Sequence, residues 1–327
     1  MSTGKELILA TKPYAQEVRS KSWLYTISTL TLLVSSLLGT LMMPNFILKL
    51  VCSIMSGLFT IRMFVIYHDF LHHAILNKSP LATFLMTIFG IYMMAPTSIW
   101  KRSHDYHHKH NSKLFSASIG SYPIATRSKF MQMTPAQRRS YLATRHPLTI
   151  LMGYFSMFMV GMAVKSFRSS PKKHFDSLIS LVIHFTATIL VLWFGGWQAW
   201  LLTIIIPYFI PCTLGAYLFY AQHNFPGVVF ADNANWKYED AALKSSSFLV
   251  MSPLMNWLTA NIGYHHIHHM NSRIPFYRLP EVMKAFPEFQ KATTTTLMPK
   301  DVIACFKLKV WDPELNQMVS LKQLRLA

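Results

Sequence analysis

The sequence predicts an all-α integral membrane protein with four transmembrane helices in two hairpins, additional membrane-surface helices and a cytoplasmic histidine-rich cap. Two observations support this prediction. Hydrophobic residues make up 52% of the 327 residues and charged residues only 13%, whereas about 25% charged is usual for a soluble protein. Histidines number 15, and 12 of them fall in four short stretches between or beside apolar runs.

Six apolar runs account for the hydrophobic surplus. About 20 predominantly apolar residues are needed to cross a bilayer, and several of these runs reach that length. They fall at Ser22–Met42, Phe46–Tyr67, Leu81–Met94, Pro147–Val164, Leu178–Trp193 and Trp197–Tyr220. The chain is therefore predicted to be a multi-pass membrane protein.

The positions of the histidine stretches restrict which runs cross the membrane. If all six crossed, the first two stretches would lie about 30 Å apart on opposite faces. Leu81–Met94 is short and is followed by Pro96, and Pro147–Val164 has basic segments on both flanks. We expect both to lie along the membrane or to dip into it. Four crossings remain, which bring all histidine stretches to one side of a single domain, 1–327, with its core at about 22–285.

The net charge of +18 could suggest a nucleic-acid partner, but the basic residues are concentrated in loops between apolar runs. Loops rich in lysine and arginine normally stay in the cytoplasm, where anionic lipid headgroups attract them. We therefore expect membrane lipids and no nucleic acid as partners. The histidine-rich side is expected to face the cytoplasm.

The histidines are spaced to share helix faces, because residues at i, i+3 and i+4 lie on the same side of an α-helix. Two stretches have the pattern H-x-x-H-H, one has an i, i+4 pair followed by a third histidine, and one has a single histidine after the last apolar run. The candidates are His68, His72 and His73; His104, His107 and His108; His223; and His265, His268 and His269.

A metal site explains why so many imidazoles stay neutral beside lysine and arginine. Metal ions bind the neutral ring and displace its proton. Nine or more histidines exceed the four ligands of one tetrahedral zinc and suit two ions. H-E-x-x-H and the carboxylate pattern of soluble di-iron proteins are both absent. Ligand type alone leaves iron, copper, nickel and zinc open. A metal transporter would need a relay of ionisable ligand groups within the spans, where His184 is the only histidine.

Three of the four histidine stretches, which begin at His68, His104 and His265, resemble the histidine boxes of the membrane fatty acid desaturase superfamily. The stretches "NIGYHHIHHMNSRIPFYRLP", "YAQHNF" and "RHPLTILMGYFSMFMVGM" resemble bacterial acyl-lipid desaturases more specifically. The resemblance implies two iron ions and a long-chain acyl substrate linked to a lipid or to CoA. It also implies O2 and an external electron donor, either a ferredoxin or a b-type cytochrome. The expected location is then a bacterial inner membrane. The alternative within the superfamily is a hydroxylase or ketolase acting on a fatty acid, an alkane or a carotenoid.

The resemblance also implies a set of ligand residues. Nine of the candidate histidines match the family's iron ligands, and the tenth, His73, competes with His72 for one role. Asp69 and Asp105 each directly follow the first histidine of a box. We expect them to accept hydrogen bonds from metal-bound rings, and the alternative is surface pairing with lysine or arginine. Asn261 is a candidate to replace the asparagine that one branch of the superfamily has where Phe219 stands here.

The resemblance further implies a narrow apolar tunnel for the acyl chain between the two helical hairpins. Candidate wall residues are Met63, Ile66, Tyr217 and Tyr220, for which ordinary helix packing is the competing explanation.

Overall fold

The computed structural model describes residues 4–114 and 121–326, which are mostly helical. The α-helices, in chain order, are α1 Gly4–Ala10, α2 Arg19–Met42, α3 Phe46–Leu71, α4 Pro80–Tyr92, α5 Thr97–His110, α6 Arg127–Gln132, α7 Pro135–Thr144, α8 Pro147–Leu151, α9 Lys165–Ser169, α10 Phe175–Trp200, α11 Ile206–Ala221, α12 Tyr238–Lys244, α13 Pro253–Leu258, α14 His265–Met270, α15 Leu279–Ala285, α16 Pro299–Lys307 and α17 Leu321–Leu326.

Four short strands accompany the helices, a detail that the all-α prediction omitted. Strands β1 (Phe248–Val250) and β2 (Thr294–Thr296) pair in parallel. Strands β3 (Leu308–Asp312) and β4 (Gln317–Ser320) form an antiparallel hairpin. Both sheets have only two strands, so the helices determine the fold.

Three helical runs in the described residues are long and apolar enough to cross a membrane, namely Arg19–Met42, Phe46–Leu71 and Phe175–Ala221. The bent pair α4 and α5, at 90° to each other, would make a fourth if counted as one span. These findings agree with a helical membrane protein.

The third run, 47 residues long, reverses direction at Gly196. This glycine has φ 73° and ψ 179°, which no helical residue adopts. Positions 184 and 208 would lie about 36 Å apart in a straight helix, yet the rings of His184 and Tyr208 are 4.8 Å apart. The run is therefore a hairpin. One arm is the part of α10 before Gly196, and the other is the last turn of α10 (197–200), a π-helical turn (Leu201–Ile205) and α11.

The two runs that we expected not to cross differ from the long helices. Leu81–Met94 forms the short helix α4, 13 residues long. Pro147–Val164 begins as α8 and continues as a π-helix over Tyr154–Val164. Neither is a straight helix of membrane-spanning length.

Helices α2, α3 and α11 pack together and place the ends of α3 and α11 at the same side of the bundle. Buried apolar residues from α3, α4, α11 and the stretch after α14 form the main core. The four histidine stretches lie at the ends of α3 and α11 and in the short helices α5 and α14, so they meet at this side.

Candidate metal centre

The first histidine stretch lies at the end of α3. The backbone N–H of His72 donates to the carbonyl of His68, so the helical geometry continues to His72 although α3 ends at Leu71. The two rings are 4.7 Å apart. His73 turns away, with a positive φ of 59° and an exposed side chain.

The second stretch lies on α5, which begins directly after Pro96 because proline tolerates a helix start but not a helix interior. His104, His107 and His108 are buried. The ring of Trp100 stacks on His104 at 5.2 Å and covers it from the apolar side.

The remaining candidates come from α14 and from the end of α11. His265, His268 and His269 are buried on α14. His223 follows α11 by two residues, and its Nδ1 lies 2.9 Å from the carbonyl oxygen of Ser245. That contact requires the proton on Nδ1, which leaves the Nε2 lone pair directed towards the other rings.

Nine of the ten candidate histidines converge in two groups, and within each group one ligand atom per residue lies within 4.8 Å of all the others. Group one contains His68, His72, His104, His108 and His268; group two contains His107, His223, His265 and His269. The groups adjoin, because the rings of His108 and His269 stack at 4.2 Å.

The H-x-x-H-H pattern divides its histidines between the groups. On α5 the i, i+4 pair His104 and His108 belongs to group one, while His107 at i+3 belongs to group two. On α14 the i, i+4 pair His265 and His269 belongs to group two, while His268 belongs to group one. Each short helix therefore contributes to both groups, which fixes their relative position.

The nitrogen separations fit metal ions at both centres. In group one the Nε2 of His104 is 2.7 Å from that of His68 and 3.1 Å from that of His108. In group two the Nε2 of His223 is 3.0 Å from that of His107 and 2.8 Å from that of His265. Nitrogens about 2.1 Å from one ion, at right angles to each other, lie about 3 Å apart.

Hydrogen bonding among the rings does not explain this arrangement equally well. A neutral imidazole nitrogen carries either one N–H or one lone pair. The Nε2 of His104 and that of His223 each have two close neighbours, so each could satisfy one of them at most. A metal ion accepts a lone pair from every ring at once. Metal binding therefore explains the arrangement better than hydrogen bonds between the rings do.

Burial keeps the rings in the form that binds metal. It lowers the pKa of His223 to about 4. It also lowers the pKa of His265, His268 and His269 well below the usual value, and the neighbouring imidazoles lower these three pKa values further. The rings are thus neutral near pH 7 despite the basic loops around them.

Asp69 lies beside the ring of His68, one of the candidate ligands. Its Oδ1 is 3.2 Å from Nδ1 of His68, and its Oδ2 accepts a 2.7 Å hydrogen bond from the backbone N–H of Phe276. An N–H passed to a carboxylate orients a metal-bound imidazole. Through these two contacts, Asp69 links α3 to the segment after α14.

The other predicted residues lie apart from the two groups. Asp105 pairs with Lys101 at 3.2 Å on the surface of α5. The amide of Asn261 donates to the carbonyl of Phe276. His73 belongs to neither group. Phe219 packs its ring 5.0 Å from that of His107, so an apolar side chain covers group two here.

Two cavities that share lining residues reach the histidines. The outer cavity, about 800 Å³, lies between α5, α8 and the π-helix. The inner cavity, about 60 Å³, lies between α3 and α11. Trp100, His104, Met157 and Phe219 line both. The predicted wall residues are different, since Met63, Ile66, Tyr217 and Tyr220 line neither of these two cavities. Tyr220 lines a separate cavity of about 60 Å³ beside His107 and His223.

Apolar helices of membrane-spanning type and two histidine groups able to hold metal define a class of helical membrane protein with a metal-binding cap. Residues 12–298 match the fatty acid desaturase family, and the chain belongs to that family. It is an oxidoreductase that acts on fatty acyl chains.

Named relatives agree with this assignment. A Bacillus subtilis fatty acid desaturase is 28% identical over 283 residues, covering 86% of this chain and 80% of the relative. The sn-1 oleoyl-lipid 12-desaturase of Synechocystis is 24% identical over 267 residues, covering 80% and 74%. A chloroplastic omega-6 fatty acid desaturase of Glycine max is 22% identical over 232 residues, covering 69% and 53%.

Proposed function

We propose that this protein introduces a carbon–carbon double bond into a long acyl chain, using O2 and two electrons at a histidine-ligated di-iron centre. The convergence of nine histidine nitrogens into two adjoining groups supports this proposal most directly. Bound iron would supply oxygen activation and the removal of two hydrogens from neighbouring methylenes. The chain's own residues hold the ions and position the substrate.

Substrate positioning follows from the two cavities. The outer cavity is wide and mainly apolar, and the inner one continues past His104 to His68 and His265, which belong to different histidine groups. An acyl chain that follows this route would pass both groups with its methyl end in the inner cavity. Holding one methylene against the centre is the main task, because orientation governs which bond reacts.

The proposed topology has four crossings, formed by α2, α3, α10 and the arm that ends with α11. All four histidine stretches then face the cytoplasm, in agreement with the basic residues of the loops at that side. The described residues form no recognisable redox domain, so we propose that a ferredoxin or a b-type cytochrome delivers the electrons. The basic surface would attract an acidic carrier.

The deciding experiment is expression in a bacterial host that lacks polyunsaturated lipids, followed by mapping of new double bonds and iron analysis of the purified protein. We expect new unsaturated chains and about two iron ions per chain, since two histidine groups are present. Hydroxylated or ketone-bearing products would instead identify a different oxygen-dependent activity. Iron-free protein without lipid products would contradict the proposal.

Gly215 is expected to set the position of the double bond. Gly215 and Ile61 line the inner cavity, and Ile61 lies about 10 Å along α3 from His68. A methyl added at Gly215 would come 4.0 Å from Phe158, an ordinary contact, so larger side chains would extend into the cavity. Gly215→Val should shorten the cavity and move the double bond at least one carbon towards the methyl end.

Product mapping by mass spectrometry checks this prediction. Leu214→Phe provides a control, because it enlarges the neighbouring residue of the same helix, which lines neither cavity. The control should keep the double-bond position of the wild type. An unchanged position in Gly215→Val with normal iron content would show that the inner cavity does not hold the acyl chain.

A further inference from the structure

A long uncharged segment lies between His223 and His265. Residues 245–264 contain no Asp, Glu, Lys or Arg, although the chain as a whole carries 44 such residues. The structure gives this segment only one short helix, α13. This helix is too short to cross the bilayer. A search for long apolar runs therefore does not detect the segment.

The segment forms a closed loop, which we call the apolar loop (residues 249–263). Its ends are joined, because the N–H of Leu249 donates to the carbonyl of Gly263 at 2.9 Å. A Cβ at position 263 would lie 2.5 Å from the backbone carbonyl oxygen of Leu249, so only glycine fits there. Ala260 and Asn261 have positive φ and turn the chain back after α13.

Large apolar side chains project from the apolar loop. Val250 is 44% exposed, Leu254 65% and Trp257 42%. Single exposed apolar residues are ordinary on any protein, but here three occur on one loop without a charged residue. Such a surface marks contact with an apolar partner.

The position of the loop along α3 identifies that partner. The ring of Trp257 packs edge-on against Phe59 at 6.2 Å. Phe59 lies 13 positions, or about 20 Å, from the start of α3 at Phe46. If α3 enters the bilayer there, Phe59 lies about 10 Å inside the opposite boundary of a core about 30 Å thick. Trp257 is then at the depth of the lipid acyl chains.

Arg62 gives the backbone at the end of α13 an additional hydrogen-bond partner. The carbonyl of Trp257 accepts from the N–H of Ala260 at 3.2 Å, and the acyl region offers no water for its second lone pair. The Arg62 guanidinium, 3% exposed, donates to the carbonyl of Trp257 and to Oγ1 of Thr29. It also lies over the Trp257 ring at 4.4 Å. These contacts stabilise a buried arginine within the membrane helix α3.

We propose that the apolar loop is inserted into the acyl layer of the membrane beside α3, as an anchor that does not cross the bilayer. The anchor is joined directly to the histidine cap. The side-chain amide of Gln222 donates to the carbonyl of Ile262 at 2.9 Å, and His265 follows the loop within two residues. Insertion thus fixes the depth at which His223 and His265 stand above the membrane core.

Spin labels in a lipid bilayer test the proposal. Leu254→Cys and Val250→Cys report on the loop, and Leu315→Cys is the control, a leucine of similar exposure (55%) beside Asp312 and Glu314 in the β3–β4 hairpin. The unsubstituted protein serves as the blank, because two of its cysteines are buried and Cys52 is partly buried. The measurement compares the collision rates of each label with O2, which concentrates in lipid, and with a water-soluble nickel chelate.

We expect labels at positions 250 and 254 to collide mainly with O2, and the label at position 315 to collide mainly with the nickel chelate. Loop labels that are as open to nickel as position 315 would show that the loop lies in water. Loop labels that are shielded from both reagents would show that protein, and not lipid, covers the loop. Either result would overturn the proposal without depending on enzyme activity.

Discussion

Replacing His107 by alanine is expected to abolish desaturation while the protein still inserts into the membrane. His107 contributes one of the four nitrogens of group two, and its Nε2 is 3.0 Å from that of His223. Losing a ligand should cost more than the loss of a residue that only orients one, which is about 10- to 100-fold. We therefore expect activity to fall by more than about 100-fold. Iron content should fall towards half, because group one keeps its five nitrogens.

His110→Ala is the matched control, since His110 lies one turn further along the same helix. Its ring stacks on Tyr106 at 4.0 Å and belongs to neither group. The control should keep its iron and most of its activity. Both variants should remain in the membrane fraction, because apolar spans and not metal drive insertion. Full desaturation by His107→Ala would remove His107 from the ligand set.

The sequence predicted which histidines would meet, but not how they would divide. Helical spacing placed His104, His107 and His108 on one face, and the structure shows that face at the junction of the two groups. The i+3 histidine points about 60° from the first one, enough to reach the neighbouring group. This division depends on how α5 and α14 lie relative to each other, and spacing within one stretch contains no such information.

Other features depend on contacts between distant parts of the chain. The contact of Asp69 with His68 was predicted from its place in the sequence, and the structure adds a second partner, Phe276, more than 200 residues away. Asp105 has the same place in its own box but pairs with Lys101 on the surface. Two identical local patterns thus have different outcomes, because only one of them faces the segment after α14.

The apolar loop could not be predicted from hydropathy alone. Hydropathy detects segments that are long enough to cross a bilayer, whereas this loop reaches acyl depth with the six residues of α13 and two turns. The absence of charge in residues 245–264 was visible in the sequence. The structural role of this uncharged segment depends on Arg62, whose contact with Trp257 joins positions 195 residues apart.

His72→Ala is expected to lose iron and activity, whereas His73→Ala should keep substantial iron. Helical geometry puts His72 about 40° from His68 and one turn further along, while His73 would lie about 140° away. The described backbone is consistent with that geometry, because the N–H of His72 still donates to the carbonyl of His68. His73 has already left the helix, with φ 59°, and its side chain is exposed.

The two variants make a matched pair, because the residues are adjacent and the substitution is the same. Metal analysis of both purified proteins separates ligand loss from a general loss of stability. Iron kept in His72→Ala but lost in His73→Ala would mean that a wider turn brings the i+5 ring to the metal. Group one would then need a different arrangement around His68. Loss of iron from both variants would instead show that the turn after α3, and not a single imidazole, holds the metal centre.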